Sequence, residues 1–356
     1  MKLFTVGPTQ MFPQTLDVAS RQIPYFRNEA FSSVVKECES LLKQFAHAPA
    51  DSRVVFLTAS GTGAMEATVI NCMSEADKAL VIEGGSFGHR FAQLCAIHGI
   101  PYDSVKLGVD EGLRADHLDP FDNGHYSALL VNADETSTGQ LYDLGMLAEF
   151  CRRNGMLFIV DAISSFAADE IDMSELGIDA LVVSSQKALS LAPGLSFVVL
   201  ARRMIEDRVS KIDPRSMYFD FKDHLKNGDR GQTPFTPAVG IVHELHNRLR
   251  LIEDAGGISS EIERVARLAD DFRARIACEP LSLPPYPLSN ALTRVVFNEP
   301  VAEKVNAALV NEFGMVPNPC GGDLARWSLR FAHIGDLTVE DNAALADALH
   351  AVLQRM

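Results

Sequence analysis

Three short segments of this 356-residue chain carry side chains whose types and order could do chemistry. The first, Thr58-Ala59-Ser60-Gly61-Thr62-Gly63-Ala64-Met65-Glu66-Ala67, passes from an apolar run through a glycine turn into a helix expected to begin near Ala64. Such a junction directs unpaired backbone N–H groups and the positive end of the helix at one point, which suits a phosphate, and Ser60 and Thr62 add hydroxyls. No Gly-Lys-Ser/Thr follows, so it is not a Walker loop, and Glu66 stands where a dinucleotide fingerprint needs its third glycine. Taken alone, the segment reads equally well as a plain tight turn. In the second, Phe158-Ile159-Val160-Asp161-Ala162, a carboxylate closes an apolar strand, at the sheet edge where open α/β sheets bind ligands. Ser164 and Ser165 follow, so a helix N-cap is the alternative for Asp161. The third, Val182-Val183-Ser184-Ser185-Gln186-Lys187-Ala188-Leu189, puts an amine among small and apolar residues just beyond the next strand. Most lysines are solvated; one desolvated at such an edge loses its ammonium preference and becomes a nucleophile toward carbonyls.

These residues need a scaffold that delivers them to one edge. Short apolar runs at 53–58, 79–82, 128–131, 156–160 and 180–183 read as buried strands. Amphipathic stretches lie between them, as in Leu144 to Arg153, which stops at Asn154-Gly155. Alternation of this kind predicts an α/β fold with a mainly parallel sheet covered by helices on both faces. After Gly231 the texture changes. A helical region from Pro237 to Ala277, broken near Gly256-Gly257, precedes strands at 293–297 and 328–332 and helices at 301–313 and 339–354. The reading is an N-terminal segment 1–15, a large domain 16–240 and a small α+β domain 241–356.

Composition narrows the class. With 32 basic and 47 acidic side chains the net charge is −15, and no basic block exists, which argues against nucleic acid or an anionic membrane as partner. No run of about 18 apolar residues predicts a membrane span. The start, Met1-Lys2-Leu3-Phe4-Thr5-Val6-Gly7-Pro8, is too briefly apolar for a signal peptide. Cys38, Cys72, Cys95, Cys151, Cys278 and Cys320 are scattered, which predicts free thiols in a reducing, cytoplasmic setting. His89, His243, His246 and His333 match no ligand spacing, so no metal is expected.

A phosphate cradle, a strand-end carboxylate and a buried amine are together what pyridoxal 5′-phosphate requires: a lysine for the Schiff base and an acid for the ring nitrogen. With Gly7-Pro8, Ser60-Gly61-Thr62-Gly63, Gly85-Ser86-Phe87-Gly88, Asp134-Glu135-Thr136-Ser137-Thr138-Gly139, Val160-Asp161-Ala162, Ser185-Gln186-Lys187 and Leu329-Arg330 in this order, the chain resembles the class V aminotransferases. The likeness is to the branch holding alanine–glyoxylate, serine–pyruvate and 2-aminoethylphosphonate–pyruvate transaminases, and it spans nearly the whole chain.

The resemblance implies a fold-type I subunit with a seven-stranded type of sheet, and a homodimer with shared active sites. It implies that Lys187 is the Schiff-base lysine and Asp161 the pyridinium partner. Ser60, Gly61, Thr62 and Gln186 would hold the phosphate, Phe87 would stack on the ring, and Thr136 would lie near the ring oxygen. Thr236, in Thr233-Pro234-Phe235-Thr236-Pro237, would reach the neighbouring subunit's cofactor. Arg330 would grip the substrate carboxylate, a bidentate task that suits guanidinium, and Gly7 would lie at the substrate. Arg27 sits in a segment often written His-Arg-x-x-x-Phe; here Phe26 replaces the His, leaving an anion-binding and a structural role both open. The activity implied is transfer of an amino group from a small donor, alanine or serine, to a 2-oxo acid such as glyoxylate or pyruvate. The alternatives are 2-aminoethylphosphonate–pyruvate transamination and, further off, a lyase or desulfurase, for which Cys320 is the candidate nucleophile.

Overall fold

The computed structural model describes residues 1–277 and 280–356, so Cys278 lies outside the described residues. Seven strands form the central sheet: β1 (Arg53–Leu57), β2 (Ala79–Glu83), β3 (Tyr102–Lys106), β4 (Ala128–Asn132), β5 (Leu157–Asp161), β6 (Ala180–Ser184) and β7 (Ser196–Leu200), in the order β1-β7-β6-β5-β4-β2-β3. All neighbours pair in parallel except β7, which runs antiparallel to both β1 and β6. Because β7 opposes both, β1 and β6 point the same way. The carboxyl ends of β1, β5 and β6, which lead to Ser60, Asp161 and Lys187, therefore open on one edge. Two of these strands carry no mark in the expected set. β3 is a polar edge strand, and β7 follows directly on the Pro193-Gly194 turn, where Gly194 has φ +130°.

The sheet is buried on both faces, and alternation along β1 shows it. Val54 and Phe56 enter one core with the helices Glu29–Phe45 and Leu144–Asn154, while Val55 and Leu57 enter another with the helix Gly61–Cys72 and with Phe91 and Cys95 of the helix Ser86–Ile97. Leu144–Asn154 ends at Gly155 with φ +66°, the left-handed cap that the Asn-Gly pair predicts.

The C-terminal unit is an antiparallel sheet of β8 (Leu281–Ser282), β9 (Leu292–Phe297), β10 (Asn318–Pro319) and β11 (Ser328–Ala332), ordered β8-β9-β11-β10. The helices Ala302–Phe313 and Val339–Leu353 cover it. The boundary between cores does not fall at 240/241. Val242, Leu245 and Leu249 of the helix Val239–Asp254 pack in the large core, and residues join the small core only from Leu268, within the helix Gly257–Arg275. The break at Gly256-Gly257 redirects the chain without ending the domain, because the apolar stripe before it already faces the large sheet's helices. The first residues belong to the C-terminal unit as well: Lys2–Leu3 pairs in parallel with Met315–Val316, and Phe4 is buried in the small core.

Candidate active site

The glycine turn after β1 is a helix start. Ser60 is the N-cap of Gly61–Cys72, its hydroxyl accepting from Gly63 N at 3.4 Å, so the helix begins three residues before the expected Ala64. A β-carbon on Gly61 would lie 2.5 Å from Ile163 Cδ1 and 3.2 Å from Ser184 Cβ. Only a bare backbone lets this helix start close against the ends of β5 and β6. Thr62 Oγ1 accepts from Arg90 Nη1 at 2.8 Å, and the same guanidinium lies 4.9 Å from the centroid of the Phe87 ring. Phe87 sits in the first turn of the Ser86–Ile97 helix, whose free N–H groups are held by the buried Glu135: Phe87 N at 3.3 Å and Gly88 N at 2.9 Å.

Asp161, 4% exposed, ends β5 opposite Asn132, and its Oδ1 accepts from Ile163 N at 2.8 Å. Burial pushes its carboxyl up to about 7, with Glu135 adding to the rise and Ile163 N, Lys187 and Arg90 opposing it. Lys187 stands on the turn between β6 and β7. Its carbonyl accepts from Ser190 N at 2.8 Å and Thr9 Oγ1 at 3.1 Å, and Ser190 closes the turn with φ +59°. Burial lowers the Lys187 ammonium below its ordinary range; Asp134 and Asp161 oppose this, while Arg330 and Arg90 reinforce it. Gly7 lies against the amine, since a β-carbon there would come within 2.8 Å of Nζ. Gln186 Oε1 accepts from Ser184 Oγ at 2.5 Å.

The hairpin of Asp134–Glu135 with Gln140–Leu141 brings in Thr136, 5% exposed. Its hydroxyl meets Ser164 Oγ at 2.7 Å, and Ser164 donates to Asp134 Oδ1 at 2.5 Å. The Thr136 carbonyl accepts from Arg330 Nη1 at 2.9 Å, and Arg330 Nη2 donates to the Pro319 carbonyl at 2.7 Å. The Nε of Arg330 is buried and meets no carbonyl or carboxylate oxygen, and the Cys320 thiol lies against the same guanidinium. On the adjacent strand Arg294, opposite Arg330 in register, is 1% exposed and ion-paired with Asp110.

Fold and packing thus bring Lys187, Asp161, Gly7, Thr136, Gln186 and Arg330 into one region, with Thr62 and Phe87 joined to it through Arg90. Two expected residues stand apart. Thr236 is exposed, beside a cleft of about 640 Å³ between residues 18–24 and 236–244. Arg27 spends its guanidinium on Gln232 Oε1 (3.2 Å) and on the carbonyls of Thr233 (2.7 Å) and Pro234 (3.1 Å). Arg90 was not singled out from sequence, and Asp134, Glu135 and Ser164 entered it only as motif neighbours with no site role. Arg90 carried a usable signal, one helical turn after Phe87 on the same face; Ser164 meets Asp134 only through the fold. Among the described residues no group of His, Cys, Asp and Glu could hold a metal ion, and none of the helices is long and apolar enough to cross a membrane. Cys38, Cys72, Cys95, Cys151 and Cys320 are free and buried.

A doubly covered sheet with a lysine, a carboxylate and a helix start at one edge defines a pyridoxal phosphate enzyme of fold type I. The chain matches the family Aminotransferase class-V over residues 7–277 and belongs to it. It is 29% identical to the protein named soluble hydrogenase, small subunit, of Synechococcus sp. (strain PCC 6716), covering 99% of this chain and 93% of that one. An aspartate aminotransferase of subgroup IV from Thermus thermophilus superposes with a TM-score of 0.92 at 27% identity, over 100% of this chain and 99% of that chain. The alanine–glyoxylate aminotransferase of Nostoc sp. gives 0.91 at 25% identity, over 99% and 94%. The protein is a class V aminotransferase, and its cofactor is pyridoxal 5′-phosphate. The residues fit that group: a helix start bared by Gly61, a buried acid, and a desolvated amine against Gly7.

Proposed function

We propose that the enzyme moves the amino group of a small monocarboxylate donor, alanine or serine, to glyoxylate or pyruvate. The buried Nε of Arg330, which meets no carbonyl or carboxylate oxygen, carries this reading. A buried N–H without an acceptor costs about 1–3 kcal/mol, which a substrate carboxylate bridging Nε and one Nη would recover. When bound, the cofactor supplies the electron sink that makes the donor's Cα–H acidic. Lys187 Nζ, disposed by burial to be neutral, takes the proton from Cα and returns it one step later. Asp161 holds a proton at the ring nitrogen, its carboxylate paired with the cation it creates. Ser60, Gly61, Thr62 and Gln186 hold the phosphate, Phe87 stacks on the ring, and Gly7 leaves room beside the amine for a small side chain.

The same reading makes the protein a cytoplasmic homodimer in which Thr236, exposed in one subunit, reaches the cofactor phosphate of the other. The engagement of Arg27 with its own chain leaves a phosphonate without that anion holder, so 2-aminoethylphosphonate is disfavoured as donor. The test is spectroscopic: add alanine, serine or 2-aminoethylphosphonate singly to the loaded enzyme, without acceptor. Alanine or serine should discharge the visible band of the lysine-bound cofactor. Discharge by 2-aminoethylphosphonate alone would overturn the assignment of the donor.

A further inference from the structure

Asp134 has no part in the mechanism above, yet it is 1% exposed and sits within electrostatic reach of Lys187. Its two oxygens differ. Oδ1 accepts from Ser164 Oγ at 2.5 Å, and Ser164 Oγ lies 2.7 Å from Thr136 Oγ1; Oδ2 is buried with no partner. Each hydroxyl has a single proton, so this chain has a direction. When Asp134 is ionised, Ser164 donates to it, and Thr136 must then donate to Ser164. Thr136 is left with lone pairs only, an acceptor toward the site. When Asp134 is protonated, a proton on Oδ2 would meet no acceptor. It therefore sits on Oδ1 and donates to Ser164, Ser164 donates to Thr136, and the Thr136 proton is released as a donor.

We propose that Asp134 is a positioning residue that sets, through Ser164, whether Thr136 presents a proton or a lone pair to the cofactor. The inference rests on the assignment of Thr136 to the cofactor site. One proton gained or lost at Asp134 Oδ1 reverses two hydrogen bonds, and neither hydroxyl changes its own proton count. The groups facing Asp134 are Asp169, Asp161 and Glu135, all carboxyl, together with Lys187 and the buried Tyr142. Burial first, then the carboxyl neighbours, push Asp134 up to about 8 against the opposing Ser164 bond, so both states are reached near neutrality. An acceptor at Thr136 favours whichever partner still holds a proton. The chain thus makes the cofactor's protonated form persist to higher pH once Asp134 has ionised.

The readout is the pH titration of the visible band of the loaded enzyme, compared among the wild type, Asp134→Asn, Ser164→Ala and the double variant. Asp134→Asn abolishes the switch, and Ser164→Ala cuts the relay while keeping the carboxyl. Both single variants are expected to lower the band's midpoint, by about one pH unit for strongly coupled groups, with no further shift in the double variant. A charge effect alone would lower it in Asp134→Asn and not in Ser164→Ala. A wild-type midpoint in Ser164→Ala, or additive shifts in the double variant, overturns the proposal. Thermal melts of the same proteins separate this from lost stability, since a merely structural role moves the melt and leaves the midpoint in place. Should the wild type show no visible band at all with added cofactor, the reading of the site itself has failed, a result distinct from unchanged midpoints.

Discussion

Gly7 packs directly on the Lys187 side chain, so that a β-carbon at position 7 would lie 2.7 Å from Cδ and 2.8 Å from Nζ. Both contacts are shorter than real β-carbon contacts, and the N-terminal segment is fixed there by the Thr9 bond to the Lys187 carbonyl. Gly7→Ala should therefore push the amine off its path while leaving the core intact. Misplacement by about an ångström costs on the order of 100-fold in rate. A kcat drop of that order with a melting temperature near wild type is the expected pair of results; an unchanged kcat would mean that Lys187 has room to move.

Lys187→Ala should remove the visible absorption of the lysine-bound cofactor, and activity should fall to background. The spectrum of the purified variant, incubated with cofactor and dialysed, decides it. A retained band would place the covalent attachment elsewhere.

Arg330→Ala should raise KM for every monocarboxylate substrate. Charge-assisted bonds contribute about 1.5–3 kcal/mol, equivalent to roughly 10- to 100-fold. Arg330→Lys should recover only part of this, because one ammonium cannot replace a planar fork. Steady-state kinetics with alanine and serine, each against glyoxylate, give both numbers. Equal KM values in the wild type and both variants would remove Arg330 from the substrate.

Arg27→Ala should act on stability and not on donor choice. Its three bonds tie the segment before the Glu29–Phe45 helix to residues 232–234. Losing them should cost about 1–3 kcal/mol. The ratio of kcat/KM for alanine to that for 2-aminoethylphosphonate should not change; a selective loss of the phosphonate reaction would restore Arg27 as an anion holder.

The cofactor-free protein should lose stability as pH rises through neutrality. Asp161 and Asp134 have folded values raised by burial to about 7 and about 8, far above those of the unfolded chain. Between those limits the native state binds more protons than the unfolded one, so stability is full below the unfolded values and is lost through about pH 7 to 8. Melts from about pH 6.5 to about pH 8.5 should show the fall, and Asp134→Asn should flatten it. A melting temperature that rises over this range would contradict it.

Much of this enzyme was written in local sequence. Most strand positions follow from short apolar runs, and the end of Leu144–Asn154 follows from its Asn-Gly stop, because these signals act within a few residues. Lys187, Asp161 and the Ser60 turn stood out because each residue type is out of place next to a buried strand. The antiparallel β7 was not legible, yet it is what points β1 the same way as β6 and brings the Ser60 turn to the edge of the amine. Nor could sequence place the domain boundary, since the stripe of Val239–Asp254 looks alike whichever core it faces. The Arg27 bonds, the Arg330 bond to the Thr136 carbonyl and the Asp134–Ser164–Thr136 chain all join residues far apart in sequence. Sequence determines which groups are available and which local elements carry them. Their protonation, their free lone pairs and their partners were decided only by tertiary packing, because desolvation and hydrogen-bond direction depend on neighbours that the chain brings from a distance.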